Sequence, residues 1–151
     1  MSAPIKATTS WPAGGAGIGT DWKDAFAKRS ASAFAAALAE DVTLEAASLF
    51  KPINGRENVK RVMEVGSRIY ESLIFTESTA DGRRQYLEWT ARAFGGVEFE
   101  GVTVITRNEA GAISRIAIHH RPLGALLRFS AEIGERLRGV IDPSHFWAQN
   151  S

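Results

Sequence analysis

Residues 83–123 read RRQYLEWTARAFGGVEFEGVTVITRNEAGAISRIAIHHRPL. Three long strands are legible in this stretch, at 84–94, 97–106 and 113–120. Gly95-Gly96 separates the first two, and Glu109-Ala110-Gly111 turns the chain into the third. Loops this short force antiparallel pairing. Pro122 then suits the first turn of a helix running to about Arg138, which Leu123, Leu126, Leu127, Phe129, Ile133 and Leu137 can pack down. Upstream, 73–79 reads as another strand, and Asp81-Gly82 is a strong hairpin signal joining it to 84–94.

Further toward the N-terminus, Thr20 or Asp21 can cap a helix reaching about Ala39, with Trp22, Phe26, Phe34 and Leu38 on its apolar face. Ser30-Ala31-Ser32 is a weak point where it can break in two, and Asp41 is expected to end it. A short strand at 42–46, a loop at 48–54 and a turn at Gly55 lead into a second helix, about 56–70. Val59, Val62, Met63, Ile69 and Tyr70 form its buried stripe. The whole predicts an α+β fold: a cone-shaped, curved antiparallel sheet wrapped by the first two helices around a pocket, with a C-terminal helix. Its expected bounds are 20–138, after an N-terminal arm at 1–19 that Trp11 can anchor. A tail at 139–151 follows, with Phe146 and Trp147 as anchors. The glycines at 14, 15, 17 and 19 lack the preceding strand that a dinucleotide loop requires, so they read as a flexible leader.

Composition narrows the function classes. The 151 residues allow one sizeable core. At 44% apolar and 23% charged residues, the chain is ordinary for a globular protein. Its net charge of +1, with basic and acidic residues interspersed, gives no basic stripe for nucleic acid. The absence of cysteine excludes disulfides, thiolate catalysis and Cys-ligated zinc. No apolar run has the length of a membrane span, and no signal segment is legible near Lys6, so a cytoplasmic location is expected.

The order helix, short strand, Ile53-Asn54-Gly55-Arg56-Glu57, helix, strand meander resembles the SnoaL-like branch of the nuclear transport factor two-like superfamily. The Gly-Arg-Glu turn and the hairpin Asn108-Glu109-Ala110-Gly111-Ala112-Ile113 carry most of the likeness, which covers about 20–138. The junction Ile118-His119-His120-Arg121-Pro122-Leu123 is similar to one in bacterial members. The resemblance implies a pocket inside the cone and a homodimer formed through the outer sheet face. It also implies a ligand class of small hydrophobic molecules, ring-containing or polyketide- or terpene-like. Ketosteroid isomerase, limonene epoxide hydrolase and polyketide cyclases share the fold. Aligned on the hairpins, the isomerase's general base falls near Ala46, its tyrosine donor at Trp22 and its protonated aspartate at Thr103, so all three roles are lost. The hydrolase's water-holding residues fall near Glu45 and Ala47, and its two carboxylates at Ile118 and close to Glu88.

Alternation assigns the faces. On the last strand Ile116, Ile118 and His120 should face the cone, with His119 outside. On the third strand Phe99, Gly101, Thr103 and Ile105 should face in. For 84–94, hydrophobicity alone buries Leu87, Trp89, Ala91 and Ala93. The register implied by the resemblance instead turns Tyr86, Glu88, Thr90 and Arg92 inward and leaves Leu87 and Trp89 to a dimer interface. We adopt that register. Glu88 and His120 are then the expected catalytic acid–base pair, because burial and a neighbouring imidazole can bring both toward neutral pH. Trp22, Tyr70, Tyr86, Arg92, Phe99, Thr103, Ile116 and Ile118 are the expected ligand-binding residues. The plainer alternatives stand beside this: Glu88 in an ion pair with Arg92 or Arg84, His120 as a hydrogen-bonded core residue, and Trp22 and Tyr70 as apolar wall. His119 and His120 point to opposite faces and cannot share one metal ion. Neither metal nor cofactor is expected. The functional expectation is a binder of a small hydrophobic molecule, either a cofactor-free isomerase, cyclase or hydrolase or a non-catalytic carrier or assembly module.

Overall fold

The computed structural model describes residues 6–7 and 20–148. The expected leader therefore lies outside the described residues, apart from a two-residue strand, β1 (Lys6–Ala7). The first long helix is two. α1 (Asp21–Lys28) stops at Arg29, whose φ of 51° is left-handed. α2 (Ala31–Ala37) restarts after Ser30, whose hydroxyl accepts from the Ala33 amide at 3.5 Å. The break falls where serine competes for backbone hydrogen bonds.

One boundary is corrected. The helix ends at Ala37, and Asp41 lies within a strand, β2 (Leu38–Ala46). Leu38 and Val42 are both buried, so burial on the sheet outweighs the helical propensity of Leu38 and Ala39. β3 (Ile53–Asn54) pairs with β2, and α3 (Arg56–Ile69) follows Gly55, whose φ of 89° suits a residue without a Cβ. The meander is β4 (Ser72–Asp81), β5 (Arg84–Ala93), β6 (Val97–Arg107) and β7 (Ile113–Arg121), and α4 (Leu123–Arg136) closes it.

The sheet runs β1-β4-β5-β6-β7-β2-β3. The meander strands pair antiparallel, as the short loops require, while β2 pairs with β7 in parallel, making the sheet mixed. That parallel ladder sets Leu44 beside Ile116 and Ala46 beside Ile118. The helices cover one face. Trp22, Phe26 and Phe34 meet edge to face with centroids 5.4–5.5 Å apart, and Tyr70 at the end of α3 stacks on Phe129 of α4 at 4.8 Å. Arg107, 6% exposed, ties β6 to α1 and β5 by donating to both Asp21 carboxylate oxygens (2.8 and 2.7 Å) and to the Gln85 side-chain oxygen. The tail forms a 3-10 turn, Pro143–His145, and folds back. The Phe50 amide donates to the His145 carbonyl, and the Trp147 amide to the Ser130 hydroxyl, both at 2.9 Å.

Candidate functional site

The sheet register decides what reaches the interior. Leu87, Thr103 and Ile118 lie side by side across β5, β6 and β7, and Trp89, Gly101 and His120 form the next row. Residues opposite one another share a face, and these face the helices. Along β5, burial alternates strictly: Gln85, Leu87, Trp89, Ala91 and Ala93 are buried, while Glu88, Thr90 and Arg92 are exposed.

The expected register of β5 is thus overturned. Glu88 stands on the outer face, and Trp89 occupies the inner position. The physical reason is the cost of enclosing an unpaired carboxylate among apolar groups, weighed against the apolar area Leu87 and Trp89 bury. Glu88 therefore does not meet His120 inside the cone. Tyr86 is half-buried on the same outer face, and Arg92 is exposed and paired with Glu98 at 2.9 Å. Neither lines the cavity. Trp22, Phe99 and Ile116 point inward but are sealed in the core, away from the cavity wall. With Leu87 and Trp89 buried, the outer sheet face loses the two residues that motivated a dimer interface there.

Tyr70, Thr103, Ile118 and His120 do line a partly enclosed cavity between the sheet and α3 and α4. Trp89, Phe129, Met63, Leu44, Phe75 and Ser48 complete much of its wall. Trp89 was legible as apolar alternation on its strand, but Ser48, in a loop, carried no period to assign it. The cavity measures about 40 Å³, enough for about three waters at roughly 10–15 Å³ each. It is far below the roughly 300–1,000 Å³ of sites for drug-sized ligands.

Its polar groups are few. The Trp89 indole donates to the Thr103 hydroxyl at 3.0 Å, a bond both of whose ends are buried. The His120 ring lies 5.9 Å from that of Trp89 and 6.3 Å from that of Phe129. His120 is half-buried as a residue, yet both its ring nitrogens are shielded from solvent and without a hydrogen-bond partner. Burial pushes its pKa down to about 4, and the neighbouring His119 adds to that. Burial also pushes the Tyr70 hydroxyl far up, so it stays protonated. No carboxylate, lysine or arginine is among the residues lining the cavity.

The outer face carries a different, open groove of about 550 Å³, where Glu88, Glu100, His119 and Arg121 contribute. Arg121 pairs with Glu100 there. Among the described residues, no group of three or more His, Asp or Glu is placed to hold a metal ion. No described helix is long and apolar enough to cross a membrane.

A family model described as a SnoaL-like domain matches residues 20–116. No curated protein matches the chain significantly. Among solved structures, a steroid delta-isomerase from Pseudomonas aeruginosa is similar at 25% identity and a TM-score of 0.75, over 87% of this chain and 97% of that one. A bacterial protein with a cystatin-like fold from Silicibacter pomeroyi aligns at 24% identity and a TM-score of 0.76, over 80% and 85% of the two chains. A protein of unknown function from Cytophaga hutchinsonii, like nuclear transport factor two, shares the fold at 13% identity and a TM-score of 0.61, over 78% and 97%.

Proposed function

The chain belongs to the SnoaL-like domain family, and on that premise we propose that its cone binds one small, uncharged, mostly apolar molecule, with His120 as a polar contact. The observation that carries this reading is the pair of unpartnered nitrogens on His120, buried in a cavity whose wall is otherwise almost wholly apolar. Leaving a buried donor or acceptor unsatisfied costs about 1–3 kcal/mol. A chain keeps such a group where something else completes it, so an unsatisfied group is a pointer to a site.

The likeness to a steroid delta-isomerase motivates a second reading, proton transfer on a ring-containing molecule. Three features of this chain favour binding over catalysis. The cavity lining holds no carboxylate, and Glu88 stands outside. Ala46, Trp22 and Thr103 occupy the places of that enzyme class's base and donors. An imidazole whose pKa lies near 4 is neutral at physiological pH but a weak base. The wall also sets a size: a cavity that holds about three waters admits a molecule of a few heavy atoms as it is shaped, and a steroid does not fit.

Xenon, an apolar probe of a few waters' volume at most, tests the reading by titration under pressure followed in amide NMR spectra. The expected result is saturable shifts confined to cavity residues. They should be abolished in Ala46→Phe, which fills the cavity, and unchanged in Glu88→Gln on the outer face. Absence of saturable binding by xenon and by methanol alike would overturn the proposal. Turnover of a ketosteroid by the wild-type chain would favour the catalytic reading instead.

A further inference from the structure

We propose that molecules enter and leave the cavity where β2 ends beside β7, under a lid formed by residues 47–51 and latched by His145 of the tail. This concerns access to the site proposed above and rests on that reading.

The position of the mouth follows from the burial of the wall. Ala46, Leu49, Ile118 and His120 are the half-buried lining residues, and every other lining residue is buried. The four meet at one place. Ala46 pairs with Ile118 in the last rung of the β2–β7 ladder, and the Ala47 amide donates to the Ile118 carbonyl at 3.1 Å just beyond it. β7 then runs on to Arg121 with β6 on one side and, among the described residues, no strand on the other. His120 stands at that free edge. The chain leaving β2 turns there, the Leu49 amide donating to the Ala46 carbonyl at 3.0 Å, and brings Leu49 into the same wall as His120. Along the ladder, passage would require breaking backbone bonds between strands; at its end there are none to break.

The elements around the mouth differ in what holds them. β7 is paired with β6 as far as Arg121 and Glu100. Trp89 is fixed by its bond to Thr103 and by its packing across Gly101. Phe129 is buried and stacked on Tyr70. The loop has less. Beyond Leu49, the hydrogen bonds that reach it from outside come, among the described residues, from His145 alone. The Phe50 amide donates to the His145 carbonyl at 2.9 Å, and the His145 Nδ1 donates to the Lys51 carbonyl at 3.2 Å. Phe50 itself is 67% exposed, so apolar burial does not pin the loop there.

The latch is anchored on its far side. Phe146, the next residue, is buried against Gly134 of α4, and the Trp147 amide donates to the buried Ser130 hydroxyl. Releasing the two bonds to His145 therefore frees the loop while the ladder, α4 and the tail stay in place. Ala47 and His120 also border the open groove on the outer face, so the lifted loop joins the cavity to that groove.

The experiment locks the latch. The chain has no cysteine, so Phe50→Cys with His145→Cys supplies one bridge across it, closed by oxidation and reopened by a reductant. Exchange of xenon and of methanol between the cavity and solvent is followed in the full chain by saturation transfer in NMR spectra. Oxidation should slow exchange by about tenfold or more and leave the affinities unchanged, because entry and exit slow together. In the otherwise wild-type chain, His145→Ala deletes the ring's bond and should speed exchange about fivefold, the scale of one net hydrogen bond. Equal rates in the oxidised and reduced forms would overturn the lid and leave the cavity reading standing. If the bridge does not form, an unchanged rate in His145→Ala would do the same. Failure of both xenon and methanol to bind the wild type would overturn both.

Discussion

His120 carries the clearest consequence at the scale of single residues. An unfolded histidine titrates near 6.5, and the folded chain holds this one to about 4. Between those values the unfolded chain takes up a proton that the folded chain refuses, so acid favours unfolding. The effect is absent above about pH 6.5, grows as pH falls and is complete near pH 4, where it reaches roughly 3 kcal/mol. Urea midpoints of wild type and His120→Leu, measured at pH 7.5 and 4.5, should therefore diverge. The wild type should lose about 2–3 kcal/mol more than the variant on acidification; parallel losses would show that His120 is hydrated after all. The inward aim of His120 was legible, because Ile116 and Ile118 share its face and period two permits no other assignment. Glu88 was not. Its own strand argued against burial through Leu87, Trp89, Ala91 and Ala93, and a register taken from resemblance outweighed that local chemistry.

Within elements, the same substitution should act with opposite signs at two glycines. In β6, a Cβ at Gly101 would lie 2.5 and 2.7 Å from two Trp89 ring atoms and 2.9 Å from the His120 Cβ. Trp89 is held by Thr103 and cannot swing away without breaking that bond. Gly101→Ala should cost about 2–3 kcal/mol by overpacking and lower Tm by roughly 4–12 °C for a chain of this size. In α4, nothing lies within 4 Å of a Cβ at Gly124, so Gly124→Ala should stabilise the chain by about 0.5–1 kcal/mol through helix propensity and reduced freedom of the unfolded state. Calorimetric scans of the two variants check both signs. The hairpin turns and the strand lengths were legible because Asp81-Gly82 and Gly95-Gly96 punctuate them. The start of β2 was not, because Leu38-Ala39 suits a helix as well as a strand and its partner, β7, is some seventy residues away.

For the whole molecule, the tail joins two walls of the cavity. His145 bonds the loop beside Ser48 and Leu49 through the Phe50 amide, while Phe146 packs against Gly134 on the helix that supplies Phe129 and Ile133. Phe146→Ala removes a buried ring, at a cost of about 3–5 kcal/mol if the site cannot collapse. In hydrogen-exchange spectra the Phe50 amide should lose protection by more than the amides at the centres of β5 and β6; uniform loss across the sheet would show that the tail is part of the global folding unit. The tail's packing lay beyond sequence reading, since a single Phe-Trp pair after a helix names no docking partner. The parallel pairing of β2 with β7 has a consequence during synthesis. A ribosome extrudes β2 early, but the strand that completes its ladder follows about seventy residues later. At roughly 5–20 residues per second, that open edge waits for several seconds beside a growing meander that can already pair with itself. A chaperone that shields bare edges on nascent chains would find its target here in β2 rather than in the hairpins.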